Sequence, residues 1–273
     1  MRPILILSAL ILVLVGCGGA RDSAQADRLA AIIAAGQIRI GVKADSPPFG
    51  VVRNGVHFGF DVEIAEAIAR RIGVDPVFVN VTSAERIPKI EAGEVDLIVA
   101  SMTQTRARER QIDFSIPYFE DGPAVLVKTG SLISSYIQLG GKRLGVAKGS
   151  STAASLLKVA PEAELIELPA IKDLLPALEA GTVDAVASDY LILVGLARAS
   201  GKGRAYTVAG GRIVSEPYGI AMPRDQSALR DAVNEALMAM WENGEWARIA
   251  ENWFGPKSAM PVPLKFSIAT IPE

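Results

Sequence analysis

Three basic side chains, a set of hydroxyls and one carboxylate each follow a short apolar run in this chain, and together they suit a small charged ligand. Residues 38–42 lead into Lys43 and on to Phe49, and residues 77–81 into Ser83 and Arg86. Residues 97–100 lead into Ser101 and Thr103, with Arg108 expected one turn into the next helix. Later, residues 142–146 precede Gly149, Ser150, Ser151 and Thr152, and residues 185–187 precede Ser188 and Asp189. An α-carboxylate takes a bidentate arginine, an α-ammonium needs an acid, and a side-chain carboxylate needs further cations. The inventory suits a zwitterion carrying an extra negative charge. Charge-assisted bonds contribute about 1.5–3 kcal/mol each. Three or four of them, with stacking on Phe49, reach micromolar affinity, about −8 kcal/mol.

A repeated design positions these groups. Residues 90–101 read IEAGEVDLIVAS and residues 178–189 read LEAGTVDAVASD, each a helix end, a glycine stop, an acidic turn and an apolar strand. Ile64, Ile68 and Ile72 recur at helical spacing, with Asp61 as the expected N-cap. Strands are expected over 38–42, 77–81, 97–100 and 124–127 of the first part. Residues 142–146 echo 38–42, followed by helices over 151–159 and 171–180 and extended segments over 165–168 and 185–187. A βαβ rhythm implies mostly parallel sheets, whose ligands sit beyond the strand carboxyl ends, where helix N-termini aim N–H groups. The chain is therefore read as α/β, with two lobes facing a shared cleft. A strand over 218–222, a helix through Leu229, Val233 and Leu237, and a short helix over 246–253 follow. Crossings near 122–128 and 212–218 make a two-strand hinge. Lobe 1 then comprises 36–123 and 218–255, lobe 2 comprises 128–212, and 256–273 form a tail.

The N-terminal segment is set apart from the fold. Arg2 precedes an apolar run over 4–15 that is shorter than the roughly 20 residues of a permanent span. Leu14-Val15-Gly16-Cys17 resembles a bacterial lipobox, so residues 1–17 are read as a lipoprotein signal peptide with Cys17 lipidated. Residues 18–35 are a tether and the start of the first helix. With one cysteine and one histidine, no thiolate metal site or histidine-based triad can be assembled. A formal charge of −2 without a basic tract argues against nucleic acid as a partner.

In order along residues 36–255, the chain resembles the family 3 extracellular solute-binding proteins, the periplasmic amino-acid-binding components of ABC importers. The matching segments include Gly41-Val42-Lys43, Pro47-Pro48-Phe49, Gly59-Phe60-Asp61-Val62, Arg86-Ile87-Pro88, Met102-Thr103-Gln104-Thr105, Arg108 and Gly149-Ser150. The resemblance implies a type II periplasmic-binding-protein-like fold, two α/β lobes joined by a two-strand hinge. It implies Arg108 as the clamp on the ligand α-carboxylate, Ser101, Thr103 and Ser151 as its helpers, and Asp189 as the acid for the α-ammonium. Lys43, Ser83 and Arg86 match positions around the side-chain carboxylate in aspartate- and glutamate-binding members, which points to an acidic amino acid, and Phe49 is expected to wall it. The implied protein is a monomer without cofactors or catalysis. It is held by its lipid anchor in the periplasm or on the outer face of the cell membrane, and it serves a membrane permease.

Some features depart from the family pattern or admit other uses. Ser46 and Ser83 stand where cationic-amino-acid binders carry aromatics, and Arg106 stands where the family often has proline. Asp189 could instead cap the helix that follows it, and Asp96 and Asp184 read as turn residues on the far edge of each sheet. A cyclohexadienyl or arogenate dehydratase-like enzyme, a glutamine-binding receptor and a sensor subunit are the rival readings.

Overall fold

The computed structural model describes residues 27–264 and 266–269. The expected signal segment, Cys17 and nearly all of the tether lie outside those residues. Helix α1 (Arg28–Ala35) opens the described chain, and the Asp27 carboxylate caps it by accepting from the amides of Leu29 and Ala30.

The first lobe begins with β1 (Gln37–Val42) and a small antiparallel flap of β2 (Asp45–Ser46), β3 (Gly50–Arg53) and β4 (Val56–Phe58). It continues through α2 (Phe60–Ile72), β5 (Asp75–Asn80), α3 (Arg86–Glu91), β6 (Leu97–Ile98) and β7 (Asp113–Phe114). Strand β8 (Phe119–Asp121) then crosses to the second lobe. That lobe contains β9 (Pro123–Lys128), β10 (Arg143–Ala147), α4 (Thr152–Val159), β11 (Glu164–Leu168), α5 (Leu174–Ala180), β12 (Ala185–Asp189), α6 (Tyr190–Ala199) and β13 (Tyr206–Arg212). Strand β14 (Glu216–Tyr218) returns, and β15 (Ala221–Met222), α7 (Ser227–Glu242) and α8 (Glu245–Phe254) complete the first lobe.

The two sheets share one plan. Their strand orders are β5-β1-β6-β15-β7 and β11-β10-β12-β9-β13. In each, three parallel strands are followed by two that run antiparallel to their neighbours. The repeat extends to ion pairs at the strand starts. Asp96 accepts from the Arg39 amide at 2.8 Å and from its Nη2 at 3.0 Å. Asp184 repeats both contacts with Arg143, at 2.9 and 2.8 Å. Both acids lie away from the cleft and brace the sheets.

Three expectations need correction. Residues 124–127 do not belong to the first lobe: β9 is a central strand of the second sheet, and the first crossing lies earlier, at 119–121. An apolar run buried along most of its length carries no local sign of which sheet it joins. Asp61 does not cap α2, whose N-cap is Gly59; Asp61 is fully buried in the first turn, with its carboxylate turned to Ser101 and Tyr118. Residues 105–112 form hydrogen-bonded turns rather than a helix that carries Arg108.

The crossing strands β8 and β14 pair antiparallel, with Tyr218 opposite Phe119 and Glu216 opposite Asp121. Rings from α2, α8 and the crossings pack around them, with Phe60 and Phe119 centroids 5.0 Å apart and Phe119 and Phe254 centroids 5.2 Å apart. The tail joins this core. Met260 and Ile268 are buried, and the Phe266 ring lies 5.4 Å from that of Trp246.

Candidate ligand-binding site

The carboxyl ends of β1 and β6 in one lobe face those of β10 and β12 in the other, and the loops beyond them line a narrow cavity. Lys43, Ser83, Arg86, Ser101, Thr103, Arg108, Ser151 and Asp189 all line it. Residues separated by up to 146 positions in the chain are thereby brought to one chamber. Ser150, Thr152, Ile171, Ser188 and Ile192 line it as well. The serines and the threonine adjoin expected residues. Ile171 and Ile192 each lie three positions beyond a strand, β11 and β12, but as apolar residues they gave no signal among charged and hydroxyl groups.

Phe49 is a correction. It does not line the cavity; it is fully buried, with its ring 5.3 Å from Phe119 and 5.6 Å from Tyr218, both edge-on. Its amide bonds back to Ser46 and its carbonyl accepts from Asp61, a turn that drives the ring inward under the hinge. Burial among four rings outweighs contact with a polar chamber.

Arg108 is the innermost of the three nearby arginines, buried while Arg106 and Arg110 are exposed. Its Nη1 donates to Thr103 O at 2.7 Å and its Nη2 to Gly149 O at 3.1 Å. Three of its five N–H donors are left to meet a carboxylate. Opposite stands the start of α4, with Ser151 at its N-cap position and no side-chain cap bond. The buried hydroxyl of Ser150 has no hydrogen-bond partner. Orphan amides and free hydroxyls at a helix start favour an anion.

Asp189 sits at the N-cap position of α6 but makes no side-chain cap bond. Its carboxylate instead accepts the Tyr218 hydroxyl at 2.5 Å, which leaves it facing the chamber from a hinge strand contact. Burial pushes its pKa up to about 6, against the lowering effect of Tyr218, Arg86 and Arg108. A cationic partner would restore its charge.

At the other end, Lys43 Nζ donates to Ser83 Oγ at 2.8 Å. Lys43 is 2% exposed, and burial followed by the nearby Arg86 charge pushes its pKa down to about 7. Arg86 serves largely as a brace. Its guanidinium donates to Ser83 O at 3.2 Å, Ala100 O at 3.1 Å, Ser101 O at 3.3 Å and, across the cleft, Gly149 O at 3.4 Å.

The lobes touch at several further points. Lys172 N donates to Asp45 Oδ2 at 3.2 Å. A Cβ at Gly149 would stand 2.6 Å from Ala84 Cα, and one at Gly195 would stand 2.0 Å from Pro47 O. Only glycine allows the two rims to meet this closely.

Comparison with known proteins bears on what such a cleft is for. The ABC transporter glutamine-binding protein GlnH of Bacillus subtilis (strain 168) is 37% identical over 255 residues, covering 89% of this chain and 92% of the relative. The glutamate-binding protein GluB of Corynebacterium efficiens is 32% identical over 259 residues, 90% of this chain and 87% of the relative. An ancestral arginine-binding protein solved with glutamine bound superposes with a TM-score of 0.77 at 36% identity, covering 81% of this chain and 98% of its own. The architecture is that of the type II periplasmic amino-acid-binding proteins. The profile of one family runs through both lobes and both crossings, from residue 38 to residue 256, and the chain belongs to that family, the bacterial extracellular solute-binding proteins, family 3.

Proposed function

We propose that this protein is the substrate-binding component of an ABC importer and that it holds L-glutamine between its lobes for delivery to a membrane permease. Arg108 and the start of α4 take the α-carboxylate, with Thr103, Ser150 and Ser151 beside them, and Asp189 takes the α-ammonium. Ser101 lies between these two ends. Export by the segment 1–17, anchoring through a lipidated Cys17 and a monomeric state belong to the same reading.

The observation that carries the choice of side chain is the pair Lys43 and Ser83, 2.8 Å apart, beside an Arg86 whose bonds go to four carbonyl oxygens. A carboxylate there would meet one amine whose charge is already weakened by burial. A carboxamide finds a donor and an acceptor at once, without a buried net charge. The names of the Bacillus subtilis relative and of the ancestral complex support glutamine in preference to the acidic amino acids. Glutamate is the second reading, favoured by the cationic form of Lys43 and by the Corynebacterium efficiens relative.

Thermal unfolding of ligand-stripped protein against each L-amino acid tests this reading, because a ligand bound only by the folded state stabilises it in proportion to ln(1 + [L]/Kd). The largest rise is expected with glutamine. A rise confined to glutamate and aspartate would replace glutamine as ligand, and no rise with any amino acid would end the proposal.

A further inference from the structure

Ser101 adopts φ 46, a left-handed conformation that serine rarely takes unless its surroundings impose it. The other non-glycine residues with positive φ among those described, Asn54 and Asp225, lie in turns, whereas Ser101 lines the cavity. Its surroundings are explicit. Asp61 Oδ2 accepts from Ser101 N at 2.7 Å and from Ser101 Oγ at 2.9 Å, while Oδ1 accepts from the Tyr118 hydroxyl at 2.7 Å. From the opposite side Arg86 donates to the carbonyls of Ala100 and Ser101. One peptide segment is thus gripped by a carboxylate on its donor side and a guanidinium on its acceptor side. Asp61 is fully buried and does not line the cavity.

We propose that Asp61 is a positioning residue of the ligand site. It holds Ser101 in its left-handed turn with the hydroxyl hydrogen directed away from the cavity, so that Ser101 Oγ presents lone pairs to the ligand ammonium. The inference rests on the reading of the cavity as an amino-acid site. It also changes the role of Ser101. A hydroxyl whose hydrogen is committed to a carboxylate accepts from the ligand and cannot help to clamp an α-carboxylate. The arrangement requires Asp61 to be ionised, because three donors converge on it. Burial raises its pKa to about 6, against the lowering influence of Tyr118, Ser101 and Arg86, and Lys43 is the remaining charged group near it.

The test is the pH dependence of L-glutamine affinity in the full chain and in Asp61→Asn, which keeps the shape and removes the charge. Two protons oppose binding to the parent protein in acid, one at Asp189 and one at Asp61, so log Kd should rise more steeply below about pH 6 than it does in Asp61→Asn. The variant should also bind roughly tenfold more weakly at neutral pH. Equal slopes, or unchanged neutral affinity, would overturn the positioning role. Should Asp61→Asn fail to fold, Tyr118→Phe removes one donor from the same carboxylate, and Tyr118 does not itself line the cavity. The acid limb should then begin at higher pH, and an unmoved limb would overturn the proposal. A parent protein that binds no amino acid would defeat the functional reading and this inference with it, whereas binding with equal slopes would defeat the inference alone.

Discussion

Arg108 Nη2 donates to the carbonyl oxygen of Gly149 across the cleft at 3.1 Å. The guanidinium proposed to clamp the ligand also ties one lobe to the other, and Arg86 reaches the same oxygen at 3.4 Å. On the proposed reading, ligand capture and closure share one group. A ligand that touches both lobes favours the closed form through its differential affinity for it.

The consequence for mutation is that charge alone will not substitute for Arg108. Lysine cannot meet Thr103 O, Gly149 O and a carboxylate together, because it lacks the planar fork. Arg108→Lys and Arg108→Ala should each weaken glutamine binding by about 3 kcal/mol, roughly a hundredfold. Calorimetric titration checks this, with circular dichroism to establish that both variants fold.

Selectivity should follow the protonation of Lys43. Its pKa is pushed down to about 7 by burial first and then by Arg86, so the ammonium form appears as pH falls through that value. Only the ammonium complements a side-chain carboxylate, and the effects of Asp189 and Asp61 are common to both ligands. The ratio of glutamate to glutamine affinity should rise on going from about pH 8 to about pH 6, by at most roughly tenfold per unit. Lys43→Met should flatten that ratio.

Closure can be blocked without touching the ligand. An alanine at Gly195 puts its Cβ 2.0 Å from Pro47 O in the opposite lobe, a clash that opening relieves. Gly195→Ala should weaken binding by about 1–3 kcal/mol. The ligand-free melting temperature should hold or rise slightly, since alanine is the better helix former in α6. Small-angle scattering with saturating glutamine should report a more open particle than the parent.

The paired aspartates should separate by burial. Burial pushes the pKa of Asp96 up, but its bonds to Arg39 and the charges of Arg28 and Arg39 bring it below 3.8. That contribution to stability is present above the unfolded value and is lost as pH falls toward the lower folded one. The Asp96 side chain is 5% exposed and that of Asp184 is 35%. Asp96→Ala should cost about 3 kcal/mol and Asp184→Ala about 1 kcal/mol, read by denaturant unfolding.

Much of this architecture was legible in the sequence because it is periodic or repeated. Ile64 and Ile68 do face the core from α2, with Ile72 packed at its edge. The 90–101 and 178–189 segments run into β6 and β12, the third strands of their sheets. Strand-end reasoning assembled most of the cavity lining, since successive parallel strands must deliver their carboxyl ends to one side. It failed where the outcome depends on distant partners. The fate of Phe49 is decided by Phe119, Tyr218 and Phe254, up to 205 positions away, and the use of Arg86 is decided by the carbonyls at 100, 101 and 149. Residue type marks a cation, but only the fold reveals whether its hydrogens are already taken.

The central claim is that one glutamine occupies the chamber between Arg108, Asp189 and the Lys43–Ser83 pair. Isothermal titration of ligand-stripped protein with L-glutamine tests it most directly. One site with micromolar or tighter affinity is expected, about −8 kcal/mol or better, with binding at least roughly tenfold weaker for glutamate at neutral pH. Absence of heat with glutamine, or tighter binding of glutamate or arginine, would contradict it.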